Sequence, residues 1–290
     1  ENLQRMLDAA ILHRDERPAY YAYRLEMGEH RQTGFVAAAS VAAYDAGRIR
    51  KHEFTRPDKE DDRVRQIEAL NAQTGPVLLA YPASQQADVL LSQACASAPV
   101  TEVVADDGIR HTLWLVSDDT LIADITAAFE RMQTLYIADG HHRSAAASRV
   151  AAARRRPDGQ QQASDYFLSV IFPHHQMRIL DYNRVVRDLN GLSAEDFLAR
   201  VAKSYAVAPA CGAVKPSCPG EVGLYLPGRW YRLNIDPKLF VADPVGRLDV
   251  SLLSEHLLGP VLGITDLRRD KRIDFVGGIR GLAELEQRVD

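Results

Sequence analysis

Leu3, Met6, Leu7, Ala10 and Ile11 recur at helical intervals along residues 2–13, which predicts an amphipathic helix that Pro18 closes. No capping residue precedes it, so the chain is expected to open inside a longer protein. Two strands follow, at 19–25 and 32–41, around a hairpin connection at Gly28-Glu29. The polar segment 45–55 reads as loop or strand end. Residues 61–73 then carry Val64, Ile67 and Leu70 on one helical face. A buried strand is expected at 76–81 and a helix at 88–96. A second hairpin, 100–104 with 112–116, brackets Asp106-Asp107-Gly108. Next come helix 118–134, strand 135–138 and an alanine-rich helix through Arg154.

Strands are expected at 166–172 and 177–186. From Ser193 the pattern changes to helix 193–204, a Pro/Gly/Cys loop over 209–220, strands near 222–226 and 229–235, and helix 249–258. Hairpins mixed with helices, without regular βαβ alternation, predict an α+β fold with a mixed sheet and packed helices. The expected division is a main α+β domain over 1–190 and a smaller C-terminal α+β unit over 191–290.

Composition narrows the function classes. The 290 residues are 46% hydrophobic, enough for a sizeable core, and the net charge of −4 leaves no global basic footprint for nonspecific nucleic-acid or membrane binding. The Arg154-Arg155-Arg156 run reads as a solvated helix end favoured by the helix dipole rather than a nucleic-acid patch. Cys95, Cys211 and Cys218 are a sparse, odd set with no zinc-site spacing, and are expected to be reduced thiols. No signal peptide opens the sequence and no apolar run reaches membrane-spanning length, so a cytoplasmic protein without a membrane partner is expected. Oligomeric state has no signature here.

The densest chemistry lies where the strand at 135–138 runs into Asp139-Gly140-His141-His142-Arg143-Ser144 and a helix. Gly140 permits a sharp turn, and the helix N–H groups from Ser144 onward are expected to point outward. His141, His142 and Arg143 add donors beside them. That layout suits a phosphorylated ligand. Capping alone requires neither the paired histidines nor the arginine.

Together with Gly47, Ile49, His52-Glu53-Phe54-Thr55, Asp62-Arg63 and Asn183-Arg184, this turn resembles the bacterial and archaeal family called domain of unknown function 1015. Leu248-Asp249-Val250 and Phe275-Val276-Gly277-Gly278 are weaker marks of the same resemblance. The Asp-Gly-His-His-Arg turn is also similar to the phosphate-binding turn of the ParB and sulfiredoxin-like group, which includes CTP-binding ParB proteins, ATP-using sulfiredoxins and free-serine kinases. That second resemblance implies nucleotide binding at a strand-turn-helix.

Phosphoryl transfer needs charge neutralisation around the moving group and a carboxylate for the attacking hydroxyl. Amides of Gly140 to Ser144, with His141, His142, Arg143, His52 and Arg184, are the expected phosphate contacts. His142 is also a catalytic candidate. Asp139 is a candidate catalytic carboxylate and magnesium ligand; capping the turn explains it equally well. Glu53 is the candidate base, kept ionised by Arg48, Arg50 and Lys51, although an exposed loop glutamate is the competing reading. His52 could instead satisfy a backbone carbonyl, and Arg184 could be a surface arginine. The expected function is a nucleotide-dependent phosphotransferase using ATP or ADP with Mg²⁺ on a small hydroxylated metabolite such as an amino acid. A non-catalytic nucleotide sensor is the alternative, and a metal-dependent hydrolase built on His52, Glu53, His141 and His142 comes third.

Overall fold

The computed structural model describes residues 2–53, 55–267 and 269–290; Phe54, quoted in the family resemblance, lies outside them. The chain forms two compact units, residues 1–178 and 179–290. The first begins with α1 (Asn2–Asp8), β1 (Tyr20–Met27), β2 (His30–Ser40), α2 (Val41–Asp45), β3 (Ile49–Arg50), α3 (Pro57–Leu70) and β4 (Val77–Tyr81). It continues through α4 (Gln85–Ala94), β5 (Thr101–Val104), β6 (Arg110–Val116), α5 (Asp119–Arg131), β7 (Leu135–Asp139), α6 (His141–Arg154) and β8 (Tyr166–Pro173).

The fold class is α+β, with strands ordered β3-β7-β4-β8-β2-β1-β6-β5 in one mixed sheet. Both expected hairpins form: β1 pairs antiparallel with β2 through Gly28, and β5 with β6 through Gly108, each glycine at positive φ. The central strand β8 is buried along most of its length, as its apolar run Val170-Ile171-Phe172 requires. One core cluster joins Val77, Leu79, Tyr81, Ile137 and Phe167 of the sheet to Tyr44 of α2 and Ala147 and Ala151 of α6. A second joins Ala22, Phe35, Trp114 and Val116 to Leu90, Leu91 and Ala94 of α4 and Ile125 and Ala128 of α5.

Several boundaries differ from the sequence expectation, each for a local reason. The first helix stops at Asp8 rather than residue 13. None of its residues is buried, so no packing extends it. α3 starts at Pro57, whose missing N–H costs nothing in the first turn, and ends where Asn71 turns left-handed. The expected strand 32–41 gives up its last residue, Val41, to α2, because the Ser40 hydroxyl accepts from the Ala43 N–H and starts a helix there.

The second unit contains β9 (Tyr182–Val186), α7 (Ala194–Val201), β10 (Tyr205–Ala210), β11 (Glu221–Leu226), β12 (Arg229–Ile235), α8 (Asp249–Leu253), β13 (Ile273–Gly277) and α9 (Ala283–Val289). β10, β12 and β11 form an antiparallel sheet, so its first strand reaches into the segment expected to be loop. The expected strand at 177–186 shortens to β9, which pairs antiparallel with β13. Ser193 caps α7 by accepting from the Asp196 N–H at 3.1 Å. Among the described residues, no helix is long and apolar enough to cross a membrane.

Candidate functional site

Strand direction gathers the candidate residues of the first unit at one end of its sheet. β3 runs parallel to β7, with Ile49 opposite Leu135 and Arg50 opposite Tyr136, so His52-Glu53 and the Gly140 turn leave the same sheet edge. β4 runs antiparallel to β7, with Leu78 opposite Asp139, which brings the start of β4 there as well. Arg48 anchors β3: its guanidinium donates to the carbonyls of Phe129, Glu130 and Met132 at 2.7–3.1 Å, closing the C-terminus of α5.

Gly140 sits at φ 99°, between β7 and the first residue of α6. A Cβ there would lie 3.0 Å from Arg143 Nη2, 3.1 Å from its Nε and 3.2 Å from Val77 Cα. Glycine is therefore required twice, for the backbone angle and for the guanidinium that crosses it. Because α6 already starts at His141, the Ser144 N–H donates to the Gly140 carbonyl at 3.0 Å. The Ser144 hydroxyl, fully buried, lies 3.1 Å from the His141 carbonyl and 3.4 Å from that of Gly140. The outward donors are thus those of His141, His142 and Arg143, not those from Ser144 onward. Asp139 accepts from Arg143 Nη2 at 2.6 Å, with its carboxylate 72% exposed.

His141 points inward. Its side chain is 3% exposed, its Nδ1 lies 3.5 Å from Glu53 Oε2, and the His52 ring meets it edge-on with centroids 4.5 Å apart. The Nδ1 contact is longer than an ordinary hydrogen bond, and Nε2 is buried without a hydrogen-bond partner. Burial first, then His52, holds the His141 pKa below its ordinary value of 6.5, against the opposing pull of Glu53 and Asp139. The imidazole is therefore neutral at pH 7. In the unfolded chain it protonates near 6.5, before it does in the fold, so its contribution to stability is complete above that value and is lost as pH falls below it. The melting temperature of wild type should therefore fall more steeply on acidification than that of His141→Gln; parallel curves would refute the assignment.

His142 is half-buried, and its Nε2 accepts from the Arg56 N–H at 3.2 Å, which fixes the proton on Nδ1 in the neutral ring. Two of the cations expected around Glu53 are engaged elsewhere: Arg48 caps α5, and Lys51 Nζ lies 4.0 Å from the centre of the Tyr44 ring. The Glu53 carboxylate faces the His141 ring instead and remains 60% exposed. Arg184 lies on β9 of the second unit, where its guanidinium sits 5.6 Å from the Phe275 ring centre and 5.8 Å from that of Tyr182. Burial lowers its pKa, and its Nε is buried without a partner.

Among the described residues, no group of three or more His, Cys, Asp or Glu side chains is placed to hold a metal ion. Sequence reasoning did not foresee the Arg56 amide that orients His142, nor the berth of Arg143 between Gly75 and Gly140. A Cβ on Gly75 would lie 3.3 Å from Arg143 Cδ. The only local hint of that berth was a glycine just ahead of a buried strand.

No curated protein and no solved structure matches the chain. The family described as "Protein of unknown function (DUF1015)" matches residues 1–251. With most of its length inside that match, the chain belongs to the DUF1015 family.

Proposed function

We propose that this protein is a nucleotide-dependent phosphotransferase acting on a small hydroxylated metabolite, with the start of α6 as its phosphate cradle. The observation that carries the reading is Glu53, whose carboxylate stands 3.5 Å from His141 Nδ1 beside the outward N–H groups of that helix. A carboxylate and an anion-holding turn at one sheet end are the two parts that phosphoryl transfer needs. The similarity of the Asp-Gly-His-His-Arg turn to the ParB and sulfiredoxin-like group supports the same reading.

In this scheme the amides of His141, His142 and Arg143 and the Arg143 guanidinium hold the donor phosphates. The acceptor hydroxyl oxygen bonds to the terminal phosphorus of ATP or ADP, and the bond from that phosphorus to its bridging oxygen breaks. The shortened nucleotide leaves with the bridging electrons, and the hydroxyl proton passes to Glu53. Neutral His141 faces the Glu53 carboxylate across 3.5 Å. Magnesium commonly keeps its waters and takes one or two carboxylates plus substrate phosphates, a pattern that Asp139 and a nucleotide can satisfy. Bound there, it would neutralise phosphate charge.

The test is incubation of the purified protein with ATP or ADP, Mg²⁺ and a panel of hydroxylated amino acids. Nucleotide shortening coupled to a phosphorylated product is the expected result. Saturable binding without turnover would replace the enzyme with a nucleotide sensor, and failure of both nucleotides to bind at millimolar concentration would remove either reading. His142→Ala should weaken nucleotide binding about tenfold by loosening the segment that Arg56 ties to the helix start.

A further inference from the structure

A cavity of about 150 Å³ opens beside the turn, lined by Arg63, Gln66 and Ile67 of α3, by Gln73, Thr74 and Gly75 before β4, and by Arg143. We propose that it is an oxyanion subsite, taking the carboxylate or terminal phosphate group of a small ligand through Arg63 and Arg143. Arg63 belongs to the Asp62-Arg63 pair that the phosphotransfer scheme leaves unused. It shares a helical face with Gln66 and Ile67, three and four residues on, which turns that face of α3 toward the cavity.

Charge decides the ligand class. None of the lining residues is acidic, whereas two are guanidinium groups whose planar forks match the oxygens of a carboxylate or phosphate. Arg63 donates through Nη1 to Gln66 Oε1 at 2.8 Å and stands 3.8 Å from Asp62, leaving its other N–H groups for a ligand. Arg143 is held to Asp139 through Nη2 alone, and its Nε has no acceptor. Gln73 is wall rather than reader, since both ends of its amide are bonded to the backbone of β8, at Tyr166 and Leu168.

Size and direction restrict it further. The volume lies below the ~300–1,000 Å³ of sites for drug-sized ligands, so the cavity receives a small metabolite or one end of a larger molecule. His141 and Arg143 are two residues apart on α6 and point to different sides, so the subsite stands apart from the Glu53–His141 pair. The inference rests on the phosphotransferase reading and deepens it: the Arg143 guanidinium assigned there to the donor phosphates shares a ligand oxyanion with Arg63. Anion binding itself does not depend on turnover.

Titration calorimetry of wild type, Arg63→Ala and Arg63→Lys with inorganic phosphate, ADP and serine tests this. Arg63 is 45% exposed, so neither variant should lose its fold. Arg63→Ala should bind phosphate about tenfold more weakly, with partial recovery in Arg63→Lys. A parallel loss for ADP assigns the cavity to the nucleotide phosphate, and a loss for serine alone assigns it to a carboxylate. Unchanged binding of all three probes by Arg63→Ala, or no binding of any of them by wild type, would overturn the subsite. Phosphate binding that depends on Arg63 in a protein without turnover would sink the phosphotransferase reading and leave the subsite standing.

Discussion

Glu53→Gln is expected to reduce nucleotide turnover by about 10²–10⁴-fold, the usual contribution of a positioned general base, while leaving the nucleotide dissociation constant within about twofold. The split follows from position. The carboxylate is largely exposed and faces His141, whereas the groups proposed to hold the phosphates are the amides at the start of α6 and the Arg143 guanidinium. Glutamine keeps the shape and loses the proton acceptor. Since Glu53 supports the His141 charge only against the larger effects of burial and His52, the variant should also keep its fold. Single-turnover rates with labelled nucleotide, set beside equilibrium binding of ADP, decide the matter. Equal losses in both would make Glu53 a binding residue and remove its catalytic assignment.

Gly140→Ala should lower stability by about 2 kcal/mol or more and weaken ADP binding at the proposed phosphate cradle. Two costs add. A left-handed angle costs an L-residue about 1–2 kcal/mol, and here φ is 99°. The new methyl would also press on Arg143 Nε and Nη2 at 3.0–3.1 Å and on the Val77 backbone at 3.2 Å. The guanidinium can swing away, but Val77 lies in the middle of the sheet and cannot, so relief comes at the expense of the Arg143–Asp139 pair. Urea unfolding and ADP titration of the same variant measure the two parts. A variant as stable as wild type that still binds ADP normally would show that the turn tolerates a side chain and that Arg143 has no part in binding.

The alternation of apolar and polar positions announced both hairpins and most of the helices, because burial on one face imposes a period that survives in a single sequence. Asp139-Gly140-His141-His142-Arg143 was legible as a turn, since a left-handed residue before a helix favours glycine. Where α3, α2 and β9 begin was less legible, for these limits depend on one proline, one serine hydroxyl and a partner strand far along the chain. Residue types nominated Glu53 and His141 separately, but nothing in their spacing joins them. That pairing exists because β3 lies parallel to β7, a long-range backbone match without a local signature. Likewise, which imidazole turns inward, which arginine caps a helix and which faces a cavity depend on packing, because a side chain's burial and charge partners come from elements remote in sequence.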